Sequence, residues 1–460
     1  MNNSSDVVTA SRFRLSDLWR KEDWLAIWIA FVLIAVSAYG VFCGGYDFSG
    51  AKFPTWGFSA AEFPDPAKAR GFLDVFTAPL FAKLALTFVP LALLFALGSR
   101  LEGRPFFKFF GAFTGLFALV VLVRLLSAEA TCHHYLEFAF WALILGLVVS
   151  NTVKTPAWLR PAVRTEFYIK TGLVILGASV LFSNIQKFGL YGLGIAWGVT
   201  PVVILFMWWY GTRVLKIENK PLVVTIAAAT SVCGTSAAIA AAAAAKAKKT
   251  DLAFAVGTSL VFTVIMMVGM PVFIKWTGMG EMLGGAWIGG TVDSTGAVVL
   301  AGQALGDLGG QVAALVKMIQ NVLIGFIALA IAIFFTTRVD RASAGGEKVG
   351  VGEIWQRFPK FILGFLAASL VFSFVLQPHY GAEATGSAIK HLKEFQSWAF
   401  ALAFTSIGLE TNFKELSAQV QGGRPFALYI VGQLFNLALT FAVVWLLLCG
   451  RFFPVPILEA

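Results

Sequence analysis

Charged residues are scarce in this chain. Asp, Glu, Lys and Arg make up 13% of the 460 residues, whereas 58% are hydrophobic and the mean hydropathy is +0.79. A soluble domain usually carries about 25% charged residues, so the composition excludes a soluble enzyme and a disordered chain. The apolar residues come in blocks of about 17–25, the length that one helix needs to cross a bilayer. The sequence therefore predicts an all-α polytopic membrane protein.

Cysteine and nucleotide-binding motifs are also lacking. The chain has only four cysteines, which lie far apart, at Cys43, Cys132, Cys233 and Cys449. They are too few for a disulfide framework or a Cys-rich metal site. No Walker-type GxxxxGK[ST], no G-x-S-x-G and no H-E-x-x-H run occurs. We therefore expect no cofactor, no ATP bound by this chain and no enzymatic activity.

The net charge of +10 does not indicate a nucleic-acid partner. Lys and Arg lie mostly in short loops between apolar blocks, where they set the orientation of the chain in the membrane. A polar tail with Arg12, Arg14, Arg20 and Lys21 precedes the first full-length span, without a cleavable signal. We expect a multi-pass protein of the bacterial cytoplasmic (inner) membrane with a cytoplasmic N-terminus.

About eleven apolar blocks are typical of membrane spans. They are residues 24–43, 73–98, 107–127, 136–152, 167–184, 190–212, 252–275, 311–336, 360–377, 395–411 and 426–449. We predict a cytoplasmic tail at 1–23, additional N-terminal transmembrane helices at 24–130 and a transporter core at 131–460.

Two further blocks, 222–245 and 284–304, are dominated by Ala, Gly, Ser and Thr. If the first crossed the membrane fully, Lys246, Lys248 and Lys249 would lie outside, against the positive-inside rule. A re-entrant hairpin keeps them inside, and the second block is then re-entrant from the opposite face. We favour two opposed re-entrant elements. Two fully crossing, broken helices remain the alternative.

Weak internal symmetry supports the opposed arrangement. Leu176-Gly177 recurs as Ile407-Gly408, and the run 231–237 matches the run 291–297 in pattern. Inverted repeats with interrupted helices are typical of secondary transporters. Because the two matches lie at different offsets, the symmetry requires a permuted order of segments, and coincidence among small residues is the alternative.

Hydroxyls, a thiol and glycines within the two small-residue blocks predict breaks in the helices. Irregular backbone at membrane depth is tolerated only where it is buried or lines a cavity. A half-helix that begins there directs its free N–H groups and positive dipole end at a ligand, which suits an anion. The predicted substrate-binding residues are Ser231, Cys233, Gly234, Thr235, Ser236, Thr291, Ser294, Thr295, Gly296 and Lys317. Close helix packing by small residues is the alternative.

A coupling ion is expected beside this site. An aspartate within a membrane segment costs about 2.5–3.5 kcal/mol on insertion, so Asp293 is a functional candidate. Lys317, Gln320 and Asn321 share one helical face. We expect Asp293, Gln320 and Asn321 to hold Na⁺ or a proton. Asp293 could instead cap a half-helix, and Lys317 could snorkel to the surface.

These motifs resemble those of the YeiH-type sulfate-exporter family, a family of uncharacterised proteins within the cation/proton antiporter and anion transporter superfamily. The resemblance covers roughly 136–449 and is most specific in the Cys-Gly run 231–238 and the Thr-Val run 288–292; further matches are 145–152, 172–177, Lys317-Met318 and Gly408-Leu409. It implies a secondary carrier that exports sulfate, sulfite or a related oxyanion. Two positions depart from the family: Asp293-Ser294 replaces His-Glu, and Gln320 replaces an arginine.

The sequence thus predicts an exporter of a small anion such as sulfate, sulfite or an organosulfonate, with a homodimer as a further expectation. Two rival functions stay open. Asp293 favours a sodium/proton antiporter without an anion substrate. A membrane-embedded enzyme could use a metal at His133, His134 and Glu137, although two histidines without a third well-placed ligand are a weak zinc signal.

Overall fold

Helices joined by irregular segments make up the part of the chain that the structure describes. The computed structural model describes residues 15–59, 70–130, 138–179, 182–335, 359–412, 414 and 423–456. The principal helices are α1 (Glu22–Tyr39), α2 (Ala78–Leu101), α3 (Phe106–Ser127), α4 (Phe138–Thr152), α5 (Thr165–Ser179), α6 (Phe182–Trp209), α7 (Lys220–Ser231), α8 (Ser236–Ala244), α9 (Lys249–Trp276), α10 (Glu281–Thr291), α11 (Thr295–Gln303), α12 (Asp307–Phe334), α13 (Phe361–Leu370), α14 (Gln377–Glu410) and α15 (Arg424–Leu448). The all-α prediction is confirmed for these residues.

Eight helical stretches of the described residues are long and apolar enough to cross a membrane. Two predicted spans, 136–152 and 167–184, coincide with α4 and α5 in the residues that the structure describes. Two others fall within the single helical run Phe361–Glu410, which is interrupted at Gly381, where φ is 83° and ψ is 165°. The protein is therefore a polytopic helical membrane protein, and the count of eleven spans stays a prediction.

The described chain divides into two units by its contacts. The first unit comprises the described residues from 15 to 183 and from 360 to 412, and it contains α1–α5, α13 and α14. The second unit comprises the described residues from 184 to 359 and from 423 to 456, with most of α6, α7–α12 and α15. The predicted boundaries at 23 and 130 divide the chain by expected function, and they stay a prediction.

Glycines allow close helix packing in the first unit. A Cβ atom at Gly146 of α4 would lie 2.5 Å from the carbonyl oxygen of Thr405, and one at Gly408 of α14 would lie 2.5 Å from that of Leu143. Ser150 joins the same two helices, because its Oγ donates to the carbonyl of Gly408 at 2.8 Å. The α4–α14 pair therefore tolerates no side chain at either glycine.

A charged cluster ties helix ends together in the same unit. The guanidinium of Arg164, just before α5, donates to Glu22 Oε2 and to Glu102 Oε2, both at 2.5 Å. Lys170 pairs with Asp23 at 2.9 Å. Burial on its own would lower the pKa of Arg164, but the carboxylates of Glu102 and Glu22 outweigh burial and raise that pKa above its ordinary value. The cluster thus holds α1, α5 and the α2–α3 connection in one arrangement.

In the second unit, α10 lies against α12 through a ridge of glycines. A Cβ atom at Gly285 would lie 2.5 Å from the carbonyl oxygen of Gly309, and one at Gly289 would lie 2.7 Å from that of Ala313. Residues four apart share a helix face, and small residues there let two backbones approach closely. This packing brings the C-terminal end of α10 next to the middle of α12, where the candidate site lies.

Candidate functional site at the two helix breaks

The first predicted break separates α7 from α8. Helix α7 ends at Ser231, the backbone leaves helical geometry at Val232 (φ −127°, ψ −75°), and α8 resumes at Ser236. Helix α8 is an alanine-rich run, and alanine has the highest helix propensity, so the helix re-forms as soon as the Cys-Gly-Thr segment has passed. Block 222–245 therefore contains a broken helix.

The second break separates α10 from α11. Val292 (φ −73°, ψ 131°) and Ser294 (φ −111°, ψ 134°) are extended, and α11 starts at Thr295. Asp293 lies between them with only 1% of its surface exposed. Block 284–304 is thus also broken. Whether the two blocks are re-entrant or fully crossing stays a prediction.

The two breaks contact each other through their backbones. The N–H of Gly234 donates to the carbonyl oxygen of Asp293 at 2.6 Å. A Cβ atom at Gly234 would collide with the Oγ of Ser259 on α9. A side chain at position 234 would therefore force the Ser259 hydroxyl, and with it α9, to move.

Lys317 of α12 lies at the C-terminal ends of both α7 and α10. Its ammonium donates to the carbonyl of Val292 at 2.7 Å, to Gln320 Oε1 at 2.8 Å and to the carbonyl of Val232. The C-terminus of a helix carries a partial negative charge and unsatisfied carbonyls. The lysine satisfies both ends at once. It is 1% exposed, so its charge lies in the interior of the unit and does not snorkel.

Gln320 and Asn321 extend this network along α12. Gln320 Nε2 donates to the carbonyl of Ser231 at 2.9 Å and to that of Gly290 at 3.2 Å. Asn321 Nδ2 donates to Thr295 Oγ1 at 3.1 Å. The three residues that the sequence placed on one face therefore all reach the breaks.

Asp293 is held by two hydroxyl donors from other helices. Ser259 Oγ of α9 donates to Asp293 Oδ2 at 3.0 Å, and Tyr429 Oη of α15 donates to the same oxygen. The other carboxylate oxygen, Oδ1, is buried without a hydrogen-bond partner. The capping alternative receives no support from the side-chain contacts, because no side chain caps α11.

Sequence reasoning missed the contribution of α15. Tyr429 contacts Asp293, Gln433 Nε2 donates to the carbonyl of Thr291 at 3.1 Å, and Asn436 Nδ2 donates to that of Thr230 at 3.1 Å. These polar residues recur every three or four positions in an otherwise apolar span. That spacing places them on one helix face, and it is the signal that could have found them.

Several buried oxygens around the breaks have no donor. In the described part of the second unit they include Asp293 Oδ1, Asn321 Oδ1 and Gln433 Oε1. An unsatisfied buried acceptor costs about 1–3 kcal/mol. Carboxylate and amide oxygens accept a proton donor or a hard cation, so these atoms favour a positively charged partner close to Asp293.

The predicted hydroxyls fall into two groups. Ser231 Oγ donates to the carbonyl of Ala227 at 2.5 Å and Thr291 Oγ1 to that of Trp287 at 2.6 Å, so both are bonded to their own helices. Thr235 and Ser236 are exposed at the start of α8. Ser294 is half-buried before α11.

The remaining predicted residues lie in the same region. Thr295 and Gly296 are buried in the first turn of α11. Cys233 is a buried free thiol in the first break. All thirteen predicted site residues thus lie at the two breaks or on the facing turn of α12, within one unit.

Two half-helices begin at these breaks. No side-chain hydrogen bond caps the N-terminus of α8 or of α11. The N–H groups of the first turn of a helix lack partners inside the helix, and together with the dipole they form a site for an anion. The hydroxyls of Thr235 and Ser236 adjoin the first of these two ends.

The alternative metal site at His133, His134 and Glu137 lies outside the described residues. Among the described ones, no group of three or more His, Cys, Asp or Glu could hold a metal ion.

The known proteins to which this chain is similar are membrane proteins. The family described as "Conserved hypothetical protein 698" matches residues 112–428. A UPF0324 membrane protein of Rhodopirellula baltica is 50% identical over 364 residues, which are 78% of this chain and 67% of the relative. One of Nitratidesulfovibrio vulgaris is 48% identical over 371 residues, 79% of this chain and 64% of the relative. The chain therefore spans only about two thirds of the length of these two relatives.

A more distant relative matches over nearly its full length. A UPF0324 membrane protein of Nitrosomonas europaea is 26% identical over 497 aligned positions, which cover 96% of this chain and 99% of the relative. No solved structure matches the chain. The match over residues 112–428 includes both helix breaks, Lys317 and most of the helices that contact them. The chain belongs to the UPF0324 family of membrane proteins.

Proposed function

We propose that this protein is a secondary active transporter, an exporter, of a small anion such as sulfate, sulfite or an organosulfonate. The observation that carries the proposal is the contact between two broken helices, Gly234 N–H to the Asp293 carbonyl, beside a buried lysine and a buried aspartate. Interrupted helices that meet inside a membrane protein are how secondary transporters bind substrates and ions. Buried charges in membrane segments are costly and are usually functional.

The anion binds at the N-termini of α8 and α11. Free N–H groups and the positive dipole ends supply the attraction. The exposed hydroxyls of Thr235 and Ser236 add hydrogen-bond donors, and those of Ser294 and Thr295 adjoin the second N-terminus. Lys317 acts at a distance, because its hydrogens already bond the carbonyls of the two preceding half-helices and Gln320. Its charge offsets the helix C-termini that would otherwise repel an anion.

The coupling ion binds at Asp293 and Asn321. Each has a buried oxygen without a partner, and Thr295, two residues after Asp293, already bonds Asn321. Na⁺ or a proton would supply the missing partner. Gln320, which the sequence placed in this group, supports the site through its bonds to the carbonyls of Ser231 and Gly290.

The substrate of the YeiH-type family does not transfer directly to this chain. Gln320 Oε1 accepts a hydrogen bond from Lys317 at 2.8 Å. Arginine, the family's residue here, has no acceptor and would repel the ammonium. With Asp293-Ser294 in place of His-Glu, the carboxylate moves by one position and an imidazole is lost. The proposal is therefore a small oxyanion as a class, with sulfate as the first candidate to test.

The proposal includes the localisation and assembly of the transporter. It places the protein in the bacterial inner membrane, with the N-terminus in the cytoplasm, and has it assemble as a homodimer. It has no catalytic activity and no cofactor beyond the coupling ion.

A sodium/proton antiporter is the second candidate. The unpartnered oxygens of Asp293, Asn321 and Gln433 favour it, because all three are acceptors and suit a cation or a proton. An antiporter would bind no anion at the α8 and α11 N-termini.

Thermal unfolding of the purified protein separates the two candidates. We would add sulfate, sulfite or an organosulfonate at varied Na⁺ concentration and pH. A ligand at 100 times its Kd adds about 2.7 kcal/mol of stability. We expect anion stabilisation that Ser236→Ala weakens. Ser231→Ala is the matched control and should keep it, since that hydroxyl is bonded to Ala227.

The antiporter predicts a different result in the same experiment. Stabilisation by Na⁺ or by pH alone, lost in Asp293→Asn, would select the antiporter. If neither an anion nor an ion shifts the unfolding temperature, both candidates are wrong.

A further inference from the structure

Arg124 occupies an unusual position in the first unit. It lies in the last turn of α3, with its guanidinium carbon 4.5 Å from the ring centroid of Phe138 on α4 and 5.1 Å from that of Trp398 on α14. Nη2 donates to Ser397 Oγ at 2.7 Å. The cation of α3 thus contacts an aromatic ring of α4 and one of α14.

The described carboxylate of Glu394 on α14 acts on this cation through its charge but makes no hydrogen bond to it. The only hydrogen bond of Arg124 to a described residue goes to a neutral hydroxyl. The Nε atom is buried and has no acceptor. A buried donor without an acceptor is costly, and beside a cation an anionic oxygen is the acceptor that suits it best.

A second unpartnered donor lies on the same side of α4. The indole Nε1 of Trp141 is buried without an acceptor. Trp141 follows Phe138 by three positions, and residues three apart share a helix face. That face carries the ring against which Arg124 stacks. Both unpartnered atoms are N–H donors, in contrast to the unpartnered carboxylate and amide oxygens around Asp293.

Arg124 lies three residues before the end of α3, about 4.5 Å inside that end of the helix. Arg and Trp at the ends of membrane helices lie at the level of lipid headgroups.

We propose that Arg124 and Trp141 bind the oxygens of a phosphate-type oxyanion, the headgroup phosphate of an anionic phospholipid or a free oxyanion. Arg124 supplies the positive charge and its Nε–H, and Trp141 supplies a second N–H. Phe138 and Trp398 fix the guanidinium by stacking. All residues of this site belong to the first unit, whereas the helix breaks belong to the second.

The test uses the full chain in lipid nanodiscs. Retention of phosphatidylglycerol against a phosphatidylcholine background is measured by native mass spectrometry, and free phosphate and sulfate are titrated in discs of phosphatidylcholine alone. Trp141→Phe removes the indole N–H and keeps a smaller aromatic ring in its place, so it should fold. Arg124→Gln removes the charge. Arg104→Gln, at an exposed arginine 3.4 Å from Glu102, is the matched control.

We expect both site variants to weaken binding about tenfold or more, because each removes a hydrogen bond to a charged group, and the control to bind as the wild type does. Loss of phosphatidylglycerol retention identifies a lipid headgroup. Loss of free-anion binding in phosphatidylcholine discs identifies a soluble oxyanion. Equal binding of wild type and Trp141→Phe in both arms, or no binding by the wild type, would overturn the proposal.

Discussion

Replacing Lys317 by methionine removes the charge at the junction of the two broken helices while keeping an apolar chain of similar length. The ammonium makes three hydrogen bonds, to the carbonyls of Val232 and Val292 and to Gln320 Oε1. A hydrogen bond to a charged group contributes about 1.5–3 kcal/mol, so the three together represent about 4.5–9 kcal/mol. Removal of the lysine also removes its desolvation cost, which is several kcal/mol.

The expected net loss in the free energy of unfolding is about 3–5 kcal/mol, the usual cost of leaving buried partners of a removed charge unpaired. The assay is the denaturation midpoint of the purified protein in mixed micelles. Lys275→Met is the matched control, because Lys275 is exposed in the last turn of α9. Surface substitutions of this kind usually stay within about 0.5 kcal/mol.

A second variant separates charge from shape. Lys317→Arg keeps the charge but replaces a compact ammonium by a planar fork, so it should recover only part of the stability. The reasoning is refuted if Lys317→Met unfolds at the same midpoint as Lys275→Met.

Three further predictions use the same midpoint assay. Gly234→Ala should destabilise the protein by about 1–3 kcal/mol through overpacking against Ser259. An unchanged midpoint in Gly234→Ala would contradict this close packing of the first break on α9. Tyr429→Phe should cost about 1.5–3 kcal/mol, since it removes a donor to the carboxylate of Asp293, and an unchanged midpoint would show that this hydrogen bond is not formed. Arg164→Gln should lower the free energy of unfolding by about 3–5 kcal/mol, because the carboxylates of Glu22 and Glu102 lose their partner. Adding Glu102→Gln should lessen this loss. If the losses of the two single variants simply add, Arg164 and Glu102 do not stabilise each other.

Much of the fold could be predicted from composition and periodicity. Long apolar blocks specify membrane helices because a helix satisfies its own backbone, and the described helices follow those blocks closely. The breaks were also predictable: Gly234 and the hydroxyl residues next to it interrupt an alanine-rich run that would otherwise continue as a helix. What the pattern could not give was the interruption at Gly381, where φ is 83°, within the helical run Phe361–Glu410.

The site was predictable where charge marks it and unpredictable where it depends on tertiary contacts. Asp293 and Lys317 stand out because ionisable residues are rare in membrane segments. Their partners do not. Ser259 lies in an ordinary apolar span, and only its contact with Asp293 across the unit gives it a role. The direction of a hydroxyl also depends on local structure: Ser231 bonds to its own helix, whereas Ser236, beyond the break, is exposed.

The most direct test of the central claim is transport by the reconstituted protein. Proteoliposomes would be loaded with radiolabelled sulfate, or sulfite, and exchange would be followed with and without Na⁺ and pH gradients. The account predicts that the wild type exchanges the anion and accumulates it along an imposed gradient. It predicts that Asp293→Asn keeps exchange but loses gradient-driven accumulation. Unchanged accumulation in Asp293→Asn, or no exchange of any oxyanion by the wild type, would contradict the account.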